Sequence, residues 1–560
     1  MSASRSSPRS PSPSVPATLV ARSLTHDRGG RTVLDGVSLT VGPESRIGVI
    51  GPNGVGKSTL LQLLAGILVP DSGLVTLDPP SATVGYLAQE HEVVEGETVR
   101  DSLERRTGGR AAEAELSAAA TGLRDGTARS ARRYELALER FNGLGSADLD
   151  ARIDRVLEDL GVGAAVGGQL VSTLSGGQEA KVALAGIELS RFDVTLLDEP
   201  TNDLDFEGLR RLEAWVASRT GGIVVVSHDR DFLERAVTSV VELEPHGRTA
   251  REYGGGWAGY VAERANDRRH ADEAYARYDR RRGQLDDRAE RQRQWATTGV
   301  RREARHPRDN DKAQRDFRIN RTEKLASKAR QTERALESLE PVDKPWEGWD
   351  LRYSIEETTR SGDVVVRLAG AVLGRGEFRM GPMDLEIGWG DRVALTGANG
   401  TGKSTLVASL LGEVPLIAGQ RWVGPSVVAG ALGQDRRAVP SGHDLVRTAM
   451  DRTGLTQAEA RSLLAKFGLD ADHVVRRAGS LSPGERTRAE LAVFQALGVN
   501  FLVLDEPTNH LDLPAIEQLE SALRGFSGTL LLVSHDRRLL QEVDTDRSIE
   551  LPWGAVGTSR

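Results

Sequence analysis

The chain of 560 residues contains no cysteine. That single absence excludes disulfide scaffolds, Cys-ligated zinc, iron–sulfur clusters and thiol nucleophiles together. Long apolar runs are missing as well. Segments such as Thr529–Val533 and Phe501–Leu504 span only a handful of residues, against the roughly 20 that a membrane-spanning helix needs. The first sixteen residues, MSASRSSPRSPSPSVP, have no apolar stretch of the kind a signal peptide requires. They read as a disordered Ser/Pro-rich tail (1–16), and with no export signal the expected location is the cytoplasm. Lysine is scarce: 8 of the 73 basic residues, the other 65 being arginine. This bias fits a GC-rich coding genome and says little about mechanism. What remains is 39% apolar and 28% charged, a globular composition too long for one core, so two or more domains are expected.

An internal repeat sets the organisation. GPNGVGKST at 51–59 returns as GANGTGKST at 397–405, and LSGGQ at 174–178 as LSPGE at 481–485. VTLLDEPTNDLD at 194–205 returns as FLVLDEPTNHLD at 501–512, and VVVSHD at 224–229 as LLVSHD at 531–536. The spacing between equivalent residues is 346 at Lys57 and Lys403, 345 at Gln89 and Gln434, and 307 at Ser175, Asp198 and His228. The first copy therefore carries 38 extra residues between Gln89 and Ser175. Each copy alternates strand-like and helix-like runs, which predicts an α/β fold on a parallel sheet with its loops at the carboxyl ends of the strands. The expected domains are 17–258, with a helical insertion within about 100–150, then a linker over 259–345, and a second copy of the first domain over 346–560.

The motif GxxxxGK[ST] is a P-loop. Its glycines let successive N–H groups turn toward phosphate oxygens, and the helix that follows adds its positive end. In the first copy these residues are Gly51, Asn53, Gly54, Gly56, Lys57, Ser58 and Thr59; in the second, Gly397, Asn399, Gly400, Gly402, Lys403, Ser404 and Thr405. Lys57 and Lys403 would reach the β- and γ-phosphates, and Ser58 and Ser404 would ligate Mg²⁺. One such match can be a Gly-rich turn; two with identical downstream motifs are not. Asp198 and Asp505 end apolar strands, where a carboxylate can hold the metal opposite the P-loop hydroxyl. The adjacent Glu199 and Glu506 are placed to polarise an attacking water. His228 and His535, each in a Ser-His-Asp after a strand, would contact the γ-phosphate.

In this order the motifs resemble the ABC ATPase family, twice over. The resemblance implies a head-to-tail sandwich with two ATP molecules in the interface. Lys57 would face Ser482 and Gly484, and Lys403 would face Ser175 and Gly177, with Gly176, Gln178 and Glu485 completing the two signature motifs. Gln89 and Gln434 match the family's metal-side glutamines, and Asp205 and Asp512 its D-loops. Both sites keep Lys, Asp, Glu and His, so two hydrolysing sites are expected. Pro483 departs from the family pattern and has no N–H to offer a phosphate. The family's adenine-stacking aromatic also finds no aligned residue: Arg28 stands near its place in the first copy, and AVLGRGEFRM in the second has none.

Residues 259–340 differ in kind, being poor in apolar residues and dense in Arg, Asp and Glu. Two long helices are expected, about 260–294 and 311–340, joined by a loop near Gly299 and Pro307. Over 288–330 there are 14 Arg or Lys against 6 Asp or Glu, a net +8 in a chain of −8, so the remainder carries −16. A basic arm on an acidic body is the footprint of a polyanion ligand, although a solvated helical linker would also be charged. The layout resembles the ABC-F family, most closely in DNDKAQRDFRINRTEKLASKARQTERALESLE at 309–340 and in PTNDLD and PTNHLD.

That resemblance implies ATP and Mg²⁺ as cofactors and a monomer that binds the bacterial ribosome without a membrane partner. The linker would reach the P-site tRNA and large-subunit rRNA near the peptidyl-transferase centre, through Trp295, Arg301, Arg302, Arg305, His306 and Arg308. The leading expectation is an ATPase that protects the ribosome from macrolide- or lincosamide-type antibiotics. The alternatives are a housekeeping translation factor of the same family and a tandem ATPase subunit of a transporter. A DNA-repair ATPase fits less well, lacking zinc cysteines and a C-terminal coiled coil.

Overall fold

Short runs of β-branched and leucine side chains, buried on both faces, make parallel strands because only a sheet covered by helices hides them completely. In the first half Val84–Leu87, Val194–Asp198, Gly222–Val226, Arg46–Ile50 and Ser239–Leu243 lie side by side and parallel, and Ala250–Gly254 closes the edge antiparallel. In the second half the order is Ala429–Leu432, Phe501–Asp505, Thr529–Val533, Arg392–Gly397 and Arg547–Leu551, all parallel. The computed structural model describes residues 16–88, 94–245, 247–305, 327, 331–332, 334–336, 338–339, 362–376, 378–433, 444–509 and 511–552, the side chains at 292–305 and 472 excepted. The expected tail therefore lies outside the described residues, Pro16 apart, as does most of 309–340. By contacts the chain forms two units: residues 1–260 with 351–560, and 261–350. Both ATPase halves belong to the first.

Each half adds an antiparallel three-stranded sheet that the motif reading did not anticipate: Arg31–Val41, Thr18–Arg28 and Ser72–Asp78, and likewise Phe378–Gly388, Val364–Arg375 and Ala418–Val423. Their function is to clamp the helix behind the P-loop. Leu60, Leu61, Leu63 and Leu64 of the helix Lys57–Leu64 are fully buried between Leu19, Leu24 and Leu34 on one side and Val49, Val194 and Val224 of the parallel sheet on the other. The helix Lys403–Leu411 is held the same way by Leu368, Leu373, Val393 and Val533. Truncating such a leucine costs about 2–5 kcal/mol, so the P-loop helix is a fixed part of the core.

The extra segment of the first half contains the helices Gly109–Gly122 and Ala128–Gly143; Gln457–Lys466 of the second half has its counterpart after that segment, in Leu149–Asp159. The last buries Ile153 and Leu157 in the same core as the signature helix Gly176–Leu189.

In the linker, the helix Gly256–Arg305 is continuous over 50 residues. This corrects the expected end at 294 and the break at Gly299. One glycine costs a helix interior only about 1 kcal/mol, and although Thr298 and Val300 beside it are weak helix formers, the Arg-, Gln- and Ala-rich stretches beyond them are strong ones. Trp295, Arg301, Arg302 and Arg305 are therefore on a helix and not in a loop, while His306 and Arg308 lie outside the described residues. In the linker unit Leu285, Ala289 and Thr332 are buried, and most other described side chains are exposed.

Candidate nucleotide sites

Both P-loops follow a strand of the parallel sheet and end on a glycine that caps the helix. Gly56 and Gly402 have φ of +113° and +98°, a region closed to most L-residues. A Cβ on Gly56 would also stand 2.7 Å from Val33, and one on Gly402 2.6 Å from Phe378. The lysines that follow bend back over their loops. Lys57 Nζ donates to the carbonyls of Gly51 (2.8 Å) and Pro52 (3.2 Å); Lys403 Nζ donates to those of Gly397 (2.7 Å) and Ala398 (3.3 Å). Burial lowers the pKa of both ammonium groups. Thr59 and Thr405 are buried in the first helical turns.

Opposite each loop stand the strand-end carboxylates. Ser404 Oγ donates to Asp505 Oδ2 (3.1 Å), and Ser58 makes the same bond to Asp198. The first site has an additional donor, Tyr86, whose hydroxyl lies 3.0 Å from Asp198 Oδ2; Ala431 occupies that register in the second half. Burial raises the pKa of both aspartates.

Glu199 and Glu506 have φ of +49° and +48°, left-handed backbone that a glutamate adopts only under constraint. The constraint is visible: each N–H donates at 2.9 Å to a carbonyl on the neighbouring strand, Val226 or Val533. Burial pushes Glu199 up to about 7 and Glu506 up to about 8. His228 Nε2 is 3.1 Å from Glu199 Oε1, poorly aligned for a hydrogen bond. His535 leans away from Glu506 (3.6 Å) and toward Lys403 Nζ (3.0 Å). An ammonium can only donate, so His535 Nε2 is the acceptor and the ring is neutral. Burial, with Lys403 beside it, lowers its pKa to about 4. Among the described residues Asp198 Oδ1, Glu199 Oε2 and Glu506 Oε1 are buried without a hydrogen-bond partner. Three sealed acceptors at the mouths of two P-loops are the signature of a site that expects ligands.

The halves meet through these motifs. Asn53 N–H donates to Asp512 Oδ2, and Asn399 N–H to Asp205 Oδ2, both at 3.0 Å. Asp203 accepts from Asn399 and from Asn509, linking the two D-loops. Phe206 of the first half stands edge-on to His535 of the second, with ring centres 5.1 Å apart.

Ser175 and Ser482 cap their signature helices, each closing a capping box with Gln178 or Glu485. Pro483 occupies the first helical turn, where a missing N–H costs nothing to the helix. A methyl on Gly177 would stand 3.1 Å from Asn399 Cβ, which puts the first signature against the second P-loop. Ser175, Gly176, Gly177, Gly400, Lys403 and Ser404 line one cavity of about 1070 Å³. Lys57, Ser482 and Gly484 are not among its lining residues, and Gly484 faces Ala515 of its own half. Gln89 and Gln434 lie outside the described residues.

Two hairpin-tip residues bear on the adenine side. Phe378 and Arg375, register partners at the tip of the second antiparallel hairpin, line the cavity beside Gly402. Phe378 stands 25 residues before Lys403, within the AVLGRGEFRM stretch in which the motif comparison found no aligned aromatic. Arg28, paired with Arg31 at the corresponding tip, is exposed.

Two ion pairs also join the halves with the same 307-residue symmetry. Arg230, two residues after His228, forks onto Glu520 in a fully buried pair. Arg537, two residues after His535, reaches Glu213 at 3.3 Å, which it shares with Arg235.

Comparison with known proteins agrees with this geometry. The family described as ABC transporter matches residues 34–202 and 380–509. The tylosin resistance ATP-binding protein TlrC of Streptomyces fradiae is 36% identical over 551 residues, covering 95% of this chain and 96% of that protein. The energy-dependent translational throttle protein EttA of Mycobacterium tuberculosis is 32% identical, covering 92% and 88%. Among solved structures, the archaeal ribosome recycling factor aABCE1, in complex with the stalk protein aP1, shares the fold with a TM-score of 0.51 at 19% identity, covering 94% of this chain and 87% of that one. No described helix is long and apolar enough to cross a membrane. The chain belongs to the ABC-F family, a tandem ATP-binding-cassette ATPase with two nucleotide-binding halves in one polypeptide.

Proposed function

We propose that this ATPase binds the bacterial ribosome and protects it from a macrolide of the tylosin type. The observation that carries the reading is its 36% identity, over nearly the full length of both chains, with a tylosin resistance protein. The basic stretch 288–330, net +8 on an acidic chain, supports a linker that touches large-subunit rRNA and the P-site tRNA near the peptidyl-transferase centre. A second reading, a translation factor acting on stalled or idle ribosomes without drug, is favoured by the 32% identity with a translational throttle protein.

ATP closure would be the switch and hydrolysis the timer. In each half the P-loop N–H groups and Lys57 or Lys403 hold the phosphates. Ser58 with Asp198, and Ser404 with Asp505, suit Mg²⁺: a hydroxyl, one carboxylate and a sealed oxygen on Asp198, with no trio of His, Cys, Asp or Glu among the described residues to bind a metal unaided. Bound there, Mg²⁺ supplies charge neutralisation of the phosphate oxygens. Glu199 and Glu506 take the proton of the attacking water, at pKa values suited to a base near neutrality. His535, neutral, accepts from Lys403 and so fixes the ammonium. Asp205 and Asp512 tie each half to the opposite P-loop, so closure of one site is felt at the other.

The test is co-sedimentation of the Glu199→Gln/Glu506→Gln double variant with ribosomes. Pelleting that requires ATP, and weakens steadily with salt, is the expected result. No pelleting at any salt would remove the ribosome from the account.

A further inference from the structure

The two halves differ at one half-buried arginine. The helices Val99–Arg106 and Leu445–Thr453 start at equivalent caps: Thr98 bridges Leu170, and Asp444 bridges Arg477. Arg106 and Arg452 are thus counterparts. Arg452 donates at 2.7 Å to Glu490 on its signature helix, a carboxylate only 1% exposed. The position of Glu490 is Ala183 in the first half. Arg106 therefore has no such partner, and its Nη1 is sealed and unbonded among the described residues. Its guanidinium lies over Gly186, where the second half has Val493; a Cβ there would be 3.5 Å from Arg106 Cζ.

The nearest carboxylate that acts on Arg106 is Glu97, already held by both donors of Arg105 at 2.8 Å. Burial lowers the pKa of Arg106 to about 10, so the group is still a cation at neutral pH. A guanidinium with one sealed, unbonded N–H group is costly, and an anion that can accept its fork offsets the cost. Arg106 and Ala183 line the same cavity as Asp198, Glu199 and His228 of the first half, a cavity that Lys403, Asp505, Glu506 and His535 of the second half also line.

We propose that Arg106 forms an anion site for the phosphoryl oxygens of inorganic phosphate leaving the first half, a site that the Arg452–Glu490 pair closes in the second. The inference rests on ATP hydrolysis by the chain and not on the ribosomal reading, so it is tested without ribosomes. The full chain would be assayed for inhibition of its ATPase by inorganic phosphate, beside Arg106→Gln, Arg106→Lys and Ala183→Glu.

The glutamate at 183 supplies the partner found in the second half, and it keeps the test alive if Arg106→Gln fails to fold. The expected result is a rise in the phosphate inhibition constant of about tenfold for Arg106→Gln and Ala183→Glu, of the order of one lost charge-assisted hydrogen bond. Arg106→Lys should fall between, and the KM for ATP should move less than about twofold, well under the cost of such a bond. A raised KM for ATP with an unchanged inhibition constant would mean that Arg106 touches bound ATP, and would overturn the proposal. So would unchanged inhibition in Ala183→Glu with only a higher Tm, or a wild type that phosphate does not inhibit.

Discussion

Glu199 and Glu506 combine left-handed backbone, full burial and raised pKa values, three costs that the strand-end hydrogen bonds to Val226 and Val533 maintain. A raised carboxyl pKa means that the base is protonated, and idle, below that value. The pH profile of kcat/KM for ATP should therefore lose activity on the acid side near 7 to 8 and not near 4.5. Glu506→Gln and Glu199→Gln should each keep the raised acid limb of the remaining site; a limb at the ordinary carboxylate value in both would refute the burial argument. These residues were legible from Asp-Glu-Pro-Thr-Asn occurring twice. Phe378 was not, because the hairpin that presents it has no motif and it stands 25 residues before Lys403 where Arg28 stands 29 before Lys57. We expect Phe378→Ala to raise the KM for ATP roughly twofold to tenfold, the worth of one aromatic contact, while Arg28→Ala leaves it unchanged. Nucleotide titration of the two variants decides this.

At the scale of elements, the parallel strands announced themselves because a strand buried on both faces reads as a short unbroken apolar run. The antiparallel sheets did not. Thr18–Arg28 and Arg31–Val41 bury alternate residues with bulges, so no run of apolar residues marks them. The 50-residue helix was misjudged at Gly299 because a glycine's local cost was given more weight than its helical flanks. The cross-half ion pairs were invisible in sequence, since only contact shows that Arg230 meets Glu520 and Arg537 meets Glu213. Their burial differs, and so should their weight. Arg230→Ala leaves Glu520 buried and unpaired, a loss of about 3–5 kcal/mol. Arg537→Ala should cost about 1 kcal/mol or less, as for a partly exposed pair. Thermal unfolding of the two variants, in nucleotide-free buffer, should show a clearly larger fall in Tm for Arg230→Ala. Equal falls would contradict the role of the buried pair as the stronger tie between the halves.

For the whole molecule, the 307-residue spacing shared by signature, carboxylate and histidine identified two ATPase halves, and the structure joins each P-loop to the opposite D-loop at 3.0 Å. What a motif cannot carry is the job done by the linker, because loop length and charge, not catalytic residues, separate drug protection from general translation. The most direct measurement is in vitro bacterial translation inhibited by tylosin, with the wild-type protein added in increasing amounts. Protection from a tylosin-type drug requires that synthesis recover with the wild type and not with the Glu199→Gln/Glu506→Gln variant, which should bind and not release. No recovery at any protein concentration, with ATP-dependent ribosome binding intact, would contradict drug protection and leave the translation-factor reading in its place.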